Sequence, residues 1–262
     1  YKRQALAITE QLTQIENLTD AAIKTLKNNG RLIYMGAGTS GRLGVLDAVE
    51  CVPTFGVNSD MVIGLIAGGN KAMVSAIEGI EDDIDQGKRD LMHLNLTAKD
   101  MVIGITASGR TPYVIGGINY AQSIGAHTGS LSCNKNSEIS EFADLPIEID
   151  CGPEILTGST RLKSGTAQKM VLNMISTVSM IGIGKVYKNL MVDVKPTNKK
   201  LIERSKRIIM QATEVDYDTA THYFEEANQN VKLAIVMILT NCNKEEATQK
   251  LAKANGFIKN TI

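Results

Sequence analysis

The segment Arg31-Leu-Ile-Tyr-Met-Gly-Ala-Gly-Thr-Ser-Gly-Arg42 decides the fold of this 262-residue chain. After Arg31, Leu32–Met35 form an apolar run typical of a buried strand, and a loop of Gly, Ser and Thr follows. A helical pattern then covers 41–51. A strand, a glycine-rich loop and a helix in this order begin a unit of a parallel sheet. Such a loop also offers backbone N–H groups and a helix N-terminus to a phosphate.

The same alternation continues along the chain. We predict further strands at 61–66, 101–106, 128–132 and 146–149, with helical patterns at 5–28, 70–92, 112–124 and 136–142. Because parallel strands need crossover connections, this order predicts an α/β fold with a five-stranded parallel sheet and helices on both faces. The strands lack polar alternation, which fits a sheet that is covered on both sides.

The pattern becomes wholly helical after Asp150. We predict a methionine-rich apolar helix at 160–184 and a helix at 199–213 that is basic on one face. Two short segments near the end resemble each other, but two copies are too few for a solenoid. We therefore predict an α/β domain over 1–198 and a small helical, UBA-like bundle over 199–262, which stabilises the fold or its oligomer.

Composition excludes several classes of protein. Lys and Arg together number 28, as do Asp and Glu, so a general nucleic-acid binder is not expected. The four cysteines and three histidines are scattered without a CxxC pair, which predicts neither a metal site nor a disulfide framework. No apolar run is long enough to span a bilayer, and no signal segment opens the chain. We expect a cytoplasmic protein, with further natural residues upstream of Tyr1 because the chain opens within a helical pattern.

A second loop, Thr106-Ala-Ser-Gly-Arg-Thr-Pro112, follows the third strand. Pro112 suits the first turn of the next helix, and Ser108 and Thr111 can bind a phosphate together with the helix N–H groups; Arg110 lies between them. One such hydroxyl is often only a helix N-cap. Two loops at the carboxyl ends of neighbouring strands favour a ligand, because open α/β sheets bind ligands in that crevice.

The motif Gly36-x-Gly38-x-x-Gly41 also matches a dinucleotide fingerprint. That reading requires an acidic residue at the end of the second strand, where Leu65-Ile-Ala-Gly-Gly-Asn70 has none. The first loop instead carries two adjacent hydroxyls, Thr39 and Ser40. These residues favour a phosphosugar over a nicotinamide or flavin dinucleotide, and no cofactor is expected.

Several motifs together resemble one family. They are Gly36–Gly44, Asp47–Cys51, Leu65–Gly69, Glu78–Asp82, Ala107–Tyr113, Gly152–Lys169 and Lys188–Asp193. On these residues the chain resembles sugar isomerase (SIS) domain proteins and, more narrowly, the N-acetylmuramic acid 6-phosphate etherases, over essentially its whole length. The resemblance implies an SIS-type three-layer sandwich and a homodimer with its active site near the subunit interface. It implies no metal and no organic cofactor. One stretch is also similar to the glucokinase regulatory protein, a non-enzymatic relative.

The family's reaction is a carbon–oxygen lyase reaction that splits N-acetylmuramic acid 6-phosphate into N-acetylglucosamine 6-phosphate and D-lactate. The resemblance places its two catalytic carboxylates on Glu50 and Glu81. It implies that Glu81 removes the C2 proton of the ring-opened sugar and that Glu50 protonates the departing lactate oxygen. Without the resemblance, each glutamate would be read as a surface residue. Glu154 and Lys163 are further candidates for contacts with the sugar.

Two other functions remain open on the same scaffold. An aldose–ketose phosphosugar isomerase also moves a C2 proton but needs no acid for lactate departure, so loss of Glu50 distinguishes it from an etherase. A phosphosugar-sensing regulator binds its ligand without turnover.

Overall fold

The computed structural model describes residues 3–262, so the expectation about Tyr1 lies outside the described range. A five-stranded parallel sheet has the strand order β2-β1-β3-β4-β5, which confirms the predicted α/β fold. Its strands are β1 (Leu32–Gly36), β2 (Val62–Ile66), β3 (Met101–Thr106), β4 (His127–Ser132) and β5 (Leu145–Glu148). Every residue of β1 and β3 is buried, because helices cover both faces of the sheet.

Helices follow or precede these strands. They are α1 (Arg3–Thr9), α2 (Leu12–Lys27), α3 (Gly38–Phe55), α4 (Gly69–Val74), α5 (Ile84–His93), α6 (Pro112–Ser123) and α7 (Lys163–Gly182). The helix predicted at 136–142 is a short 3-10 turn, Glu138–Glu141. Pro112 occupies the first turn of α6, where its missing N–H removes no helix hydrogen bond.

The single helix predicted over 70–92 is wrong. The chain there forms α4, an extended residue at Ser75, a 3-10 turn at Ile80–Asp82, and α5. Gly79 has φ 75°, in the left-handed region that breaks a helix. The carboxylate of Asp83 then accepts two backbone N–H groups at the start of α5, so a new helix begins there. This break places Glu81 on a turn instead of a helix face.

Contacts divide the chain into two compact units. The first comprises the described residues up to Glu50 together with Asn58–Ser179, and it contains the parallel sheet. The second comprises Cys51–Val57 and Met180–Ile262. The boundary at residue 198 that the sequence suggests stays a prediction.

The second unit contains the predicted helical bundle. Its helices are α8 (Lys199–Thr213), α9 (Tyr217–Glu226), α10 (Val231–Thr240) and α11 (Lys244–Lys253), and a two-stranded hairpin precedes them, β6 (Val186–Tyr187) and β7 (Leu190–Met191). The start of α8 is capped by the side chain of Asn198, and Asp216, Asn230 and Asn243 do the same for the next three helices. Phe224 and Ile235 are buried in the bundle core.

Candidate active site

Three strands end at one edge of the sheet. Gly36, the last residue of β1, pairs with Ile66 of β2 on one side and with Ile105 of β3 on the other. The loops that follow β1, β2 and β3 therefore start side by side. In an open parallel sheet this edge is where ligands bind.

The first loop turns tightly into α3. A Cβ on Gly41 would lie 2.5 Å from the carbonyl oxygen of Gly36, so only glycine permits this close approach. Thr39 is half-buried and faces Gly165, near the start of α7. Ser40 is buried, and its hydroxyl donates to Oε1 of Gln168 at 2.9 Å. The structure therefore brings the first loop against the segment Gly152–Lys169.

Glu81 lies on a cleft of about 280 Å³ beside the first loop. The cleft is lined by Ala37, Gly38, Arg42, Ala67, Ala72, Ala76, Ile77, Glu78, Gly79, Ile80 and Glu81. Glu81 is exposed to solvent. The break between α4 and α5 thus brings a carboxylate to the loop that the sequence predicts as a phosphate site.

The second loop is organised by Thr106, the last residue of β3. Its hydroxyl lies 2.7 Å from the hydroxyl of Thr111 and 3.3 Å from that of Ser108, and it accepts the backbone N–H of Gly109 at 3.2 Å. Thr111 precedes α6 but does not cap it with its side chain. Ser108 and Arg110 are exposed. Hydroxyls are therefore clustered at the start of α6, with their orientation fixed by Thr106.

Glu154 and Lys163 meet at the start of α7. The carboxylate of Glu154 accepts the backbone N–H of Lys163 at 2.9 Å and that of Ser164 at 3.0 Å. Partial burial raises the pKa of Glu154, but these hydrogen bonds and the Lys163 charge prevail and hold the pKa below its ordinary value. Lys163 itself is buried, with 7% of its surface exposed.

Glu50 is exposed on α3, twelve residues beyond Gly38. At 1.5 Å per residue, it lies about 18 Å along the helix from Gly38 and about 12 Å from Arg42, the α3 residues that line the cleft. Within the part of the chain that the structure describes, Glu50 is not among the residues that line the Glu81 cleft. The structure therefore places Glu81 on the cleft and Glu50 outside its lining.

Comparison with known proteins gives the family. Residues 14–122 match the model of the glucokinase regulatory protein N-terminal SIS domain, and 84–178 match the SIS domain model. N-acetylmuramic acid 6-phosphate etherase 2 of Enterococcus faecalis is 66% identical, over 100% of this chain and 88% of that protein. The N-acetylmuramic acid 6-phosphate etherase of Lactococcus lactis subsp. cremoris is 67% identical over the same shares. The chain belongs to the N-acetylmuramic acid 6-phosphate etherase family.

Two solved structures resemble this chain in fold. The phosphoheptose isomerase of Neisseria gonorrhoeae superimposes with a TM-score of 0.51 and 15% identity, over 68% of this chain and 93% of that one. An Escherichia coli CFT073 protein in complex with A5P has a TM-score of 0.50 and 16% identity, over 68% and 84%. The SIS-type sandwich that the sequence predicts is thereby confirmed.

Asp47 is a further acidic residue of α3, close to Glu50 in the sequence. It accepts the hydroxyl of Ser176 at 3.1 Å, and Asn173, with its amide oriented to suit its neighbours, donates to the same oxygen at 3.1 Å. Burial raises the pKa of Asp47 to about 6, against the opposing effects of Ser176, Tyr34 and Lys169. The signal was present in the motif Asp47–Cys51, where an acid precedes Glu50 by one helical turn.

Within residues 3–262, no group of three or more His, Cys, Asp or Glu side chains is arranged to hold a metal ion. None of the helices in the same range combines the length and the apolar character that a bilayer crossing requires.

Proposed function

We propose that this chain cleaves the D-lactyl ether of N-acetylmuramic acid 6-phosphate and releases N-acetylglucosamine 6-phosphate and D-lactate. The observation that carries the proposal is the 66% identity to an etherase over the whole chain. The cleft that holds Glu81 beside the first loop supports it, because it offers a base next to a predicted phosphate site. A cytoplasmic location and a role in the recycling of peptidoglycan amino sugars belong to the same proposal.

The proposed reaction is an elimination followed by a hydration. The C1 aldehyde of the ring-opened sugar acidifies the C2 proton, and the Glu81 carboxylate removes it. The C3–O bond of the ether then breaks, and the lactate oxygen takes a proton from the Glu50 carboxyl. Water adds to the resulting C2–C3 double bond and restores the hydroxyl at C3. General acid–base catalysis contributes about 10²–10⁴-fold for each positioned group, and these steps call for no cofactor.

The 6-phosphate is proposed to bind at the loops that follow β1 and β3. Ser108, Arg110 and Thr111 supply two hydroxyls and a guanidinium at the start of α6, and Thr39 belongs to the first loop. Ser40 stabilises that loop through its hydrogen bond to Gln168. The start of α7 is already capped by a carboxylate, which favours the other two helix starts for the phosphate. Glu154 and Lys163 are proposed to shape the sugar pocket from that side.

A homodimer is proposed, with Glu50 of one copy completing the Glu81 cleft of the other. Glu50 lies about 12 Å along α3 from Arg42 and does not line the cleft of its own chain, which supports a contribution from a second copy. Leu46 and Val49 lie on α3 near Glu50 and are 48% and 60% exposed, which suits a subunit interface. Mixing Glu50→Gln and Glu81→Gln subunits tests this. If two copies share each site, random pairing of the two variants restores about a quarter of the wild-type activity. If activity does not recover, both carboxylates act within one chain.

The defining experiment is release of D-lactate from N-acetylmuramic acid 6-phosphate, measured with and without a chelator. We expect the wild-type chain to release D-lactate even with the chelator present, and we expect Glu50→Ala to release none. Conversion of an aldose to a ketose phosphate without lactate indicates an isomerase. Tight binding of the phosphosugar without turnover indicates a regulator; either outcome contradicts the proposal.

A further inference from the structure

Arg42 connects α3 to the chain segment that carries Glu81. Its Nε donates to the carbonyl oxygen of Met73 at 3.2 Å, and its Nη2 donates to that of Ser75 at 3.3 Å. Both carbonyls lie at the end of α4, about thirty residues away along the chain. The same guanidinium lines the cleft with Glu81.

Most of the segment 73–79 is exposed, whereas Ile80 at its end packs against the core. Val74 is 87% exposed, and Ser75, Ala76, Glu78 and Gly79 are exposed as well. α4 has six residues and the turn at Ile80–Asp82 has three, so neither is a stable helix by itself. Ile77 and Ile80 pack over Gly68. An exposed segment of this kind opens readily unless specific bonds hold it.

Arginine suits this position better than lysine. Its guanidinium has five N–H donors in a rigid plane, and two are used on the carbonyls of Met73 and Ser75. Glu78 and Glu81 line the same cleft as Arg42. Arg42 therefore holds the backbone shortly before the turn that carries Glu81.

We propose that Arg42 is the positioning residue for Glu81: it clamps the carbonyls of Met73 and Ser75 and so holds the Glu81 carboxylate toward the bound sugar. This inference rests on the proposed function for its catalytic consequence, but its structural part stands independently. It assigns to Arg42 a task separate from binding the phosphate, because its donors engage the chain's own backbone.

The test compares Arg42→Gln, Arg42→Lys and a control, Arg207→Gln. Arg207 is an exposed arginine in α8 that pairs with Glu203. Two readouts are used: steady-state lactate release, and amide hydrogen exchange resolved to the segment 73–82. Arg42→Gln is expected to lower kcat by about 10- to 100-fold with less than about a threefold change in KM, because lost charge-assisted bonds displace the base. Arg42→Lys, which can still bind one carbonyl, is expected to recover part of kcat.

Amide hydrogen exchange tests the positioning role of Arg42 separately from the proposed etherase activity. Arg42→Gln is expected to speed exchange in 73–82 at least about fivefold while β3 stays protected as in the wild type. If the wild-type chain releases no lactate, the proposed function fails, and the exchange data alone decide on the clamp. Unchanged exchange in 73–82 overturns the inference. So does a rise in KM at constant kcat, which would make Arg42 a substrate ligand.

Discussion

The carboxylate of Glu154 accepts the backbone N–H of Lys163 at 2.9 Å across nine residues of chain. A second bond, from the N–H of Ser164, completes a cap on α7. The first turn of a helix leaves unpaired N–H groups that attract anions, and here the chain's own carboxylate occupies that place. The start of α7 is thus capped by the chain itself, while Thr111 leaves the start of α6 without a side-chain cap.

Replacing Glu154 with Ala is expected to lower the free energy of unfolding by about 1–2 kcal/mol at pH 7, the usual effect of removing a helix cap. Urea unfolding measures it, with the exposed Glu141→Ala as the control. The folded-state pKa of Glu154 lies below its ordinary value of 4.5. The stabilisation is therefore present above the unfolded pKa and is lost as pH falls through the folded pKa. If the free energies of unfolding of variant and wild type differ by the same amount at pH 7 and at pH 3, the Glu154 carboxylate does not act as the cap.

The contribution of Asp47 to stability has the opposite pH dependence to that of Glu154. Its folded-state pKa is about 6, above the unfolded value of 3.8, so the folded protein binds the proton first. Stability from this group is complete below pH 3.8 and is lost as pH rises through 6. Relative to Asp47→Asn, the wild type is expected to gain up to about 3 kcal/mol in unfolding free energy between pH 7 and pH 4.

Urea unfolding at several pH values tests the Asp47 prediction, with exposed Asp20→Asn as the matched variant. A flat difference between wild type and Asp47→Asn across that range would show that Asp47 is not protonated on folding.

Glu81→Gln is expected to lower exchange of the C2 hydrogen with solvent by at least about 10²-fold, because the amide cannot accept the proton. Asp82→Asn is the control, since Asp82 is an exposed carboxylate in the same 3-10 turn but does not line the cleft. Deuterium incorporation into N-acetylmuramic acid 6-phosphate, followed by NMR, measures the step. Similar rates in the two variants would remove Glu81 from the role of base.

Lys232 is buried in the helical unit, where its ammonium donates to the carbonyl oxygen of Gly184 and to the carboxylate of Asp193. Burial lowers the pKa of Lys232 despite the nearby Asp193 charge. Lys232→Met is expected to lower the unfolding free energy by about 3 kcal/mol, because Asp193 loses its close partner and retains a longer contact to Lys185.

Thermal and urea unfolding test the Lys232 prediction. Lys200→Met, at an exposed lysine of α8, is expected to stay within about 0.5 kcal/mol of the wild type. Adding Asp193→Asn to Lys232→Met is expected to cost less than the sum of the two single changes, since the pair is then removed together. Strict additivity would show that the two groups do not stabilise each other.

Much of the sheet could be predicted from the sequence because its signals are local. The apolar runs at 31–35 and 101–106 required burial on both faces, and glycine and hydroxyl residues marked where each strand gave way to a helix. The helix at 199–213 was predicted with the bounds that the structure gives. Glu81 was misplaced on a long helix because the acidic run around it carries helical periodicity, while Gly79 and the Asp83 cap interrupt the helix.

The sequence by itself determined the α/β class, because strand burial depends on residues close together in the chain. Through its motifs it also determined the family, and it predicted two phosphate loops and two candidate carboxylates. Only the tertiary structure decided which distant groups meet. Three hydrogen bonds join residues 31 to 129 positions apart: from Arg42 to the carbonyl of Met73, from Ser40 to Gln168, and from Ser176 to Asp47. Such contacts depend on how helices pack across the sheet, and no local periodicity encodes that geometry.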